Sequence, residues 1–268
     1  MMDDKHVADT WERGNPYEFY VGRWSRRIAP PFLSWLGIGG GRRWLDVGCG
    51  TGALSAAILD RCAPASVNGV DPSEGFLGSA RERVGAKATL RQGDAARIPL
   101  GDASVDVVVS GLVLNFVPDH HAALREMSRV TCKGGTVAAY VWDYADRMEL
   151  MRHFWDAAVE LDPDAAKLDE GARFPVCRPD ALEQLFVGSG LDAVAVEAIE
   201  IPTVFTDFDD YWQPFLGGQG PAPAYVMSLD GAARQRLRQA LWTRLPIQQD
   251  GSIALAARAW AVRGVVKG

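Results

Sequence analysis

Short apolar runs of strand length alternate with helical patterns between residues 42 and 143. The pattern predicts strands at 42–47, 65–71, 88–94, 104–112 and 136–142. The fourth, SVDVVVSGL, is an almost continuous β-branched run, which is typical of a strand buried on both faces of a parallel sheet. The repeated β-α-β order therefore predicts a doubly wound α/β fold.

The helices between these strands carry recognisable ends. One is predicted to begin just past Gly52, and Ser73 and Asp119 are suitable N-caps for two more, because their side-chain oxygens accept hydrogen bonds from a first helical turn. The sequence KGG at 133–135 predicts the end of the helix that follows Asp119. The fifth strand is accordingly expected to start at residue 136.

Beyond residue 143 strands and helices no longer alternate regularly. Helices are predicted near 146–161 and 180–187 and strands at 193–201 and 254–266, which brings the sheet to seven strands. About fifty residues rich in aromatics, Gly and Pro separate the last two strands, and so long an insertion is usually a lid or cap. The predicted divisions are an N-terminal helical segment at 1–40, a Rossmann-like core at 41–204, a cap insertion at 205–250 and the last strand at 251–268.

Composition narrows the class of protein. The 268 residues carry a net charge of −6, which argues against a nucleic-acid partner because phosphate binding relies on a surplus of Lys and Arg. The longest apolar stretch, 105–117, falls short of the roughly 20 residues that span a bilayer, so no membrane association is expected. The polar N-terminus lacks the pattern of a secretory leader, and the four cysteines form no C-x-x-C pair. We therefore expect a cytoplasmic protein without disulfides or a bound metal.

The first strand runs into a glycine loop, DVGCGTG at 46–52. Ligands of an open parallel sheet lie at the carboxyl ends of its strands, where glycine lets the backbone approach them closely. The spacing Gly48-x-Gly50-x-Gly52 departs from the G-x-G-x-x-G of dinucleotide sites. Acids stand at the ends of the first three strands, and they favour a ligand site over a plain strand-to-helix turn.

Four strings carry a resemblance to a known family: LDVGCGTGAL, VDPSEGFL, RQGDAARIPLGDASVDVVVSGLVLNFVPD and ALREMSRVTCKGGTV. Together they resemble the class I S-adenosylmethionine-dependent methyltransferases, in particular the small-molecule branch that includes the ubiquinone and menaquinone biosynthesis methyltransferases. The match covers about 100 contiguous residues in family order. It implies a Rossmann-like methyltransferase fold and methyl transfer from S-adenosylmethionine to a small-molecule acceptor, with S-adenosylhomocysteine as product.

The resemblance also implies which residues bind the cofactor. Asp46 would lie close to its ammonium group, and Asp71 would accept both ribose hydroxyls because a carboxylate offers two acceptor oxygens. Asp94 would accept from the adenine amino group. The other implied cofactor residues are Gly48, Cys49, Gly50, Pro72, Ser73, Phe76, Gly93, Ala95 and Leu112. Two alternatives stay open, a helix-cap acid for Asp71 and a turn residue for Asp94.

An aromatic and basic segment, NPYEFYVGRWSRR at 15–27, precedes the core. In many relatives an N-terminal helix closes over the cofactor, and by that analogy Tyr20 and Arg23 are candidates near its methionine end. The alternative is an amphipathic helix that packs Tyr17, Tyr20 and Trp24.

The acceptor site is expected beyond the fourth and fifth strands, under the cap. Methyl transfer from a sulfonium is an in-line displacement, so alignment and exclusion of water are the main requirements, and a base is needed only where the nucleophile keeps its proton. The candidate acceptor residues are Asn115, Phe116, Trp142 and Tyr211, and the candidate bases are Asp143, His120 and Tyr211. A solvated first helical turn for His120 and core packing for the cap aromatics are the alternatives.

Two other functions remain open on the sequence. An NAD(P)-dependent oxidoreductase shares the sheet and the ribose-binding acid, although the missing G-x-G-x-x-G spacing counts against it. A non-catalytic regulatory module that binds S-adenosylmethionine would keep the same cofactor residues. Fold alone does not decide among these functions.

Overall fold

The computed structural model describes residues 18–217 and 220–268, with side chains from residue 20 onward. Seven strands form one sheet in the order β3-β2-β1-β4-β5-β7-β6, which confirms the predicted fold class. The strands are β1 (Arg43–Val47), β2 (Ser66–Asp71), β3 (Thr89–Gln92), β4 (Val105–Gly111), β5 (Thr131–Trp142), β6 (Asp192–Phe205) and β7 (Ile253–Val265).

Helices connect most of these strands. The α-helices of the described chain are α1 (Arg23–Leu36), α2 (Ala53–Arg61), α3 (Glu74–Val84), α4 (His120–Val130), α5 (Glu149–Leu161), α6 (Glu170–Arg173), α7 (Pro179–Gly188), α8 (Phe208–Trp212), α9 (Pro221–Ser228) and α10 (Gly231–Arg244). Both predicted caps are confirmed. Ser73 Oγ accepts from the Phe76 N–H at 3.3 Å, and Asp119 Oδ1 accepts from the Ala122 N–H at 2.8 Å.

The strand order reverses between β1 and β4, and this switch point positions the site. β1 pairs in parallel with both β2 and β4, and β4 pairs in parallel with β5. The last strand, β7, runs antiparallel to β5, from Thr136 opposite Val265 to Trp142 opposite Ala259. Ligands of such sheets bind in the crevice at the carboxyl ends of the strands that flank the switch point.

The predicted start of the fifth strand is wrong by five residues. β5 begins at Thr131, directly after α4, and its register against β4 shifts between Val105–Thr131 and Val107–Thr136. The KGG sequence therefore lies in a bulge of the strand rather than between helix and strand. Gly135 is required there, because a Cβ atom would come within 2.6 Å of the carbonyl oxygen of Asp106.

The contacts divide the chain into two compact units. The first, called here the sheet unit, comprises Trp24–Trp142, Val176–Ile199 and Ala259–Gly268. The second, the aromatic unit, comprises the described residues up to Arg23, then Asp143–Pro175, and those of Glu200–Arg258. This grouping departs from the predicted divisions because α5 packs on α9 and α10 and so joins the insertion. Residues 1–17 of the predicted N-terminal segment, Tyr17 included, lie outside the described residues.

Each unit has its own core. In the sheet unit, Trp44, Leu45 and Val108 are fully buried in β1 and β4. In the aromatic unit, the rings of Phe154 and Phe215 stack with their centroids 4.5 Å apart. No helix within the described ranges combines the length and the apolar character that crossing a bilayer requires.

Candidate active site

The glycine loop after β1 has a left-handed backbone that few other residues adopt. Gly48, Gly50 and Gly52 have φ angles of 71°, 51° and 80°. At Gly48 space is a second constraint, because a Cβ atom would lie 2.4 Å from Cγ1 of Val113 in the segment after β4. The amides of Gly48 and Cys49 both donate to the carbonyl of Val70, at 2.7 and 3.0 Å. The loop is therefore held against the end of β2.

The carboxylate of Asp71 is fixed at the end of β2 by two backbone amides. The Gly50 N–H donates to Oδ2 and the Ser73 N–H donates to Oδ1, each at 2.9 Å. Burial raises the pKa of Asp71, and these two hydrogen bonds oppose that rise. Since each oxygen has a second lone pair, the carboxylate keeps the capacity to accept two hydroxyl groups. Ser73, rather than Asp71, provides the side-chain cap of α3.

Asp46 is a buried carboxyl group with one hydroxyl partner. It is 1% exposed, and Ser55 Oγ donates to its Oδ2 at 2.7 Å. Burial raises the pKa of Asp46 to about 7, and the nearby charge of Asp71 adds to the rise. A cationic ligand beside it would compensate part of the cost of burying this charge.

The segment after β3 lies at the same edge of the sheet as Asp71, because β2 and β3 are parallel. The Gly93 N–H donates to the backbone oxygen of Asp71 at 3.1 Å, and Asp94 Oδ1 accepts from the Ala96 N–H at 2.7 Å. Asp94 is exposed, and its hydrogen bond to the amide two residues later is typical of a turn residue, which supports that alternative. Its adenine-binding role stays a prediction, as do the roles of Ala95, Pro72 and Phe76.

The loop after β4 combines backbone strain with unpaired polar atoms. Leu112 has a φ of 62°, rare for a branched residue, and strain of this kind concentrates at functional loops. Asn115 is 7% exposed, and neither Oδ1 nor Nδ2 has a hydrogen-bond partner among the described residues. Phe116 beside it is half-buried. A buried amide without partners is unusual, and a ligand would satisfy it.

His120 begins α4 in the same part of the sheet unit. Its Nε2 is buried and lacks a partner among the residues that the structure describes. Desolvation lowers the pKa of His120, although a hydrogen bond to the backbone of Leu114 opposes the shift. The imidazole is therefore neutral at pH 7, with one nitrogen able to accept a proton.

The contacts of the other two candidate bases favour structural roles. Asp143 is 3% exposed and lies 3.2 Å from Nη1 of Arg258. Tyr211 is fully buried, and its hydroxyl donates to the carbonyl of Leu150 at 2.9 Å. Burial raises the pKa of Tyr211, which keeps its proton. Trp142, the last residue of β5, is 2% exposed. Roles in acceptor binding for Trp142 and Tyr211 stay predictions.

Tyr20 and Arg23 contact other residues of the aromatic unit. The Tyr20 hydroxyl donates to Sδ of Met151 at 2.8 Å, and the Tyr20 ring meets Phe215 edge-on with a centroid distance of 5.4 Å. Arg23 Nη1 lies 2.7 Å from Oδ1 of Asp210. These contacts support the packing alternative, and the cofactor-binding role stays a prediction.

Sequence reasoning missed one buried acid, Glu170. It is 2% exposed, and Nε1 of Trp155 donates to its Oε2. Burial raises the pKa of Glu170 to about 7. Nothing in the local sequence DEGAR distinguishes it from a surface glutamate, because its burial depends on the distant packing of α5.

The class of domain follows from comparison with known proteins. Residues 45–139, which contain the glycine loop and Asp71, match a family described as a methyltransferase domain. The demethylmenaquinone methyltransferase of Staphylococcus aureus (strain JH9) is 36% identical over 117 residues, which are 42% of this chain and 47% of that protein. The chain thus spans about half the length of this curated relative.

Solved structures show the same fold. The YcgJ protein of Bacillus subtilis has a TM-score of 0.59 at 17% identity, over 90% of this chain and 99% of that one. Phosphoethanolamine N-methyltransferase 2 of Haemonchus contortus, solved with S-adenosyl-L-methionine, has a TM-score of 0.58 at 17% identity. The match covers 95% of this chain and 56% of that one. Residues 45–139 therefore resemble a class I S-adenosylmethionine-dependent methyltransferase domain, and the seven-stranded sheet has the fold of these solved structures. Over those residues the chain resembles the quinone methyltransferases, as the sequence motifs indicate.

Proposed function

We propose that this protein transfers a methyl group from S-adenosylmethionine to a small-molecule acceptor and releases S-adenosylhomocysteine. The observation that carries the proposal is the carboxylate of Asp71, held by the amides of Gly50 and Ser73 at the end of β2. It stands beside the glycine loop of a domain that matches the methyltransferase family.

The residues present fit the ribose and the methionine part of this cofactor. Asp71 has acceptor capacity for the two ribose hydroxyls, and the buried carboxyl of Asp46 suits the ammonium of the methionine part. Gly48 adds no side chain to the loop, which suits a close approach of the cofactor to the backbone. When bound, the cofactor supplies a methyl group on a sulfonium, whose departure leaves a neutral thioether.

The chain's own task is then to align the acceptor and exclude water. Asn115 offers a donor and an acceptor that lack partners among the described residues, so we assign it to orienting the acceptor. Where the nucleophile keeps its proton, Nε2 of His120 is the proposed base, since its imidazole is neutral and Nε2 is unpaired within the described chain. Phe116 would supply apolar contact beside Asn115.

The acceptor that we propose is planar or apolar, and not a nucleic acid. The net charge of −6 argues against a polyanionic partner. Where the amino-methylating enzymes of DNA and of protein glutamine carry an Asn/Asp-Pro-Pro-aromatic loop after the fourth strand, this chain reads SGLVLNF. The Staphylococcus aureus relative is named for demethylmenaquinone, which supports a planar acceptor.

The test begins with calorimetric titration of S-adenosylhomocysteine, S-adenosylmethionine and NADH into the wild type and an Asp71→Ala variant. We expect both sulfur nucleosides to bind, affinity to fall at least about tenfold in the variant, and NADH to give no heat. Binding of NADH alone would replace the proposal with an oxidoreductase. Release of labelled S-adenosylhomocysteine with a metabolite extract then separates an enzyme from a non-catalytic module, which would bind without turnover.

We also propose a reducing, cytoplasmic location. Cys49, Cys62, Cys132 and Cys177 are all free thiols, the state that a reducing compartment maintains. Thiol counting on protein from its native cell checks this, and a disulfide between any two of the four would contradict it.

A further inference from the structure

A cavity lies at the opposite edge of the sheet from the glycine loop. Because β1, β4 and β5 are parallel, their amino ends share one edge, and the cavity is lined there by the chain before β1, the start of β4 and the bulge of β5. Its volume is about 320 Å³, and all of its lining belongs to the sheet unit. We call it the amino-edge pocket.

The lining of the amino-edge pocket has a positive charge, because the one acid in it, Asp106, is paired with Arg43. Asp106 is held by Arg43, whose Nη2 donates to Oδ1 at 2.7 Å and whose Nε and backbone N–H donate to Oδ2 at 3.1 and 2.8 Å. These bonds lower the pKa of Asp106 to about 2, so the carboxylate stays ionised at neutral pH and its charge is offset by that of Arg43. The other charged residues of the lining are Arg42 and Lys133.

Both remaining cations are available to a ligand. Arg42 and Lys133 are exposed, and neither makes an ion pair with any residue that the structure describes. They reach the pocket from different elements, one before β1 and the other from the bulge of β5. Two cations that line one pocket, together with an acid that is already paired with Arg43, suit a ligand with a compact negative charge.

Glycine leaves room for that ligand. Gly39 and Gly134 both line the pocket, and a Cβ atom on either would meet no heavy atom within 4 Å. A cavity of about 320 Å³ has room for a small metabolite.

We propose that the amino-edge pocket binds a compact anionic metabolite whose phosphate or carboxylate group is held by Arg42 and Lys133. The site is separate from the glycine loop, about six residues or roughly 20 Å away along β1. The proposal does not depend on the identity of the methyl acceptor.

The test is calorimetric titration with three small probes of similar size. Glycerol 3-phosphate carries the phosphate, succinate carries the carboxylates, and glycerol carries no charge. Heat with glycerol 3-phosphate alone assigns a phosphate ligand, and heat with succinate alone assigns a carboxylate ligand. Binding of both supports a general anion site. Absence of binding by both anions, or equal binding of glycerol, overturns the proposal.

Variants locate the binding. The double variant Arg42→Ser with Lys133→Ser should weaken anion affinity by roughly tenfold or more. The matched control, Arg61→Ser with Lys87→Ser, removes the same charge from exposed positions outside the pocket and should change affinity by no more than about twofold. Equal weakening in both double variants would mean nonspecific attraction and would reject the site.

Two further readouts do not depend on removing charge. Cys132 lines the pocket and is half-buried, whereas the other three cysteines are buried, so its alkylation rate should fall when an anion is bound. Gly39→Leu should block binding while Gly101→Leu leaves it intact, since both sites have space for a Cβ atom and only Gly39 lines the pocket. An unchanged alkylation rate at saturating anion, or binding that survives Gly39→Leu in a folded variant, would contradict the assignment.

Discussion

Gly50 and Asp71 are joined by a hydrogen bond between positions 21 residues apart, in which the Gly50 N–H donates to Oδ2 of Asp71 at 2.9 Å. The bond links the glycine loop after β1 to the acid at the end of β2. The conformation of the loop and the direction of the carboxylate therefore depend on each other. This coupling makes the ribose-binding assignment testable by single substitutions.

Asp71→Asn should weaken binding of S-adenosylhomocysteine by roughly tenfold to a hundredfold. The reason is that an amide has only one acceptor oxygen, whereas the amides of Gly50 and Ser73 need an acceptor on each side. Calorimetric titration measures the change. Asp60→Asn, at an exposed position near the end of α2, serves as the control and should bind as the wild type does. Unchanged affinity in Asp71→Asn would refute the role of Asp71.

Affinity for S-adenosylhomocysteine should fall as pH decreases below about 7, the pKa of Asp46. A bound ammonium favours the carboxylate, so binding at lower pH must expel the proton of Asp46. The loss approaches about tenfold per pH unit below the pKa. Dissociation constants measured on either side of that pKa check the slope.

Asp46→Asn is the control for this pH dependence, because it cannot titrate. Its affinity should be lower than that of the wild type at high pH and nearly independent of pH. A slope shared by the wild type and the variant would assign the titration to another group.

Gly48→Ala should lower the free energy of unfolding by about 1–3 kcal/mol more than Gly50→Ala does. Both substitutions place a side chain at a positive φ, but only the one at Gly48 drives a Cβ atom to 2.4 Å from Val113. Denaturant unfolding measures the difference. Val113→Ala in the Gly48→Ala background should restore part of the loss, and no restoration would mean that the clash is not its source.

Asn115→Leu should stabilise the protein while abolishing turnover. Removing a buried amide that has no partner in the described ranges relieves a desolvation cost of roughly 1–3 kcal/mol, and the proposed contact with the acceptor disappears. Thermal unfolding and turnover are measured together, and binding of S-adenosylhomocysteine should stay unchanged. Asn68→Leu is the control: its amide oxygen accepts from Arg91 at 2.9 Å, so no stabilisation is expected. Full turnover in Asn115→Leu would remove Asn115 from the acceptor site.

Glu170→Gln should raise the free energy of unfolding at alkaline pH by up to about 3 kcal/mol. The folded-state pKa of Glu170, about 7, exceeds its ordinary value of 4.5, so the folded protein binds the proton more tightly. Wild-type stability should therefore fall between pH 4.5 and about 7 relative to the variant, and the two should converge below that window. Denaturant titrations between pH 4.5 and about 7 measure the free energy of unfolding of the wild type and the variant. Glu183→Gln, at an exposed position of α7, is the control and should behave as the wild type does. A constant difference at every pH would point to packing rather than to charge.

Much of the sheet unit could be predicted from short stretches of sequence. Ser73 and Asp119 act as caps because each accepts from an amide three residues away, and such contacts depend only on local residue type. The sequence pattern predicts too late a start for the fifth strand, because Gly134 and Gly135 are compatible with a loop. Only pairing with β4 draws them into a bulge.

The candidate bases show where sequence reasoning ends. By residue type alone, Asp143, His120 and Tyr211 are all candidates for the base. The structure distinguishes them through contacts between distant positions: Asp143 with Arg258, 115 residues away, and Tyr211 with Leu150, 61 residues away. No local pattern encodes these contacts, so the sequence could not predict that Nε2 of His120 lacks a partner within the described part of the chain.

The sequence by itself determined the class of fold, the glycine loop and the acids at the strand ends, because periodicity, backbone freedom and capping act within a few residues. The tertiary structure alone decided that Glu170 is buried, that Asn115 lacks partners among the described residues, and that Arg42 and Lys133 line one pocket. Burial and pairing of polar groups depend on which distant segments pack together. Such packing is a property of the whole chain rather than of any stretch of it.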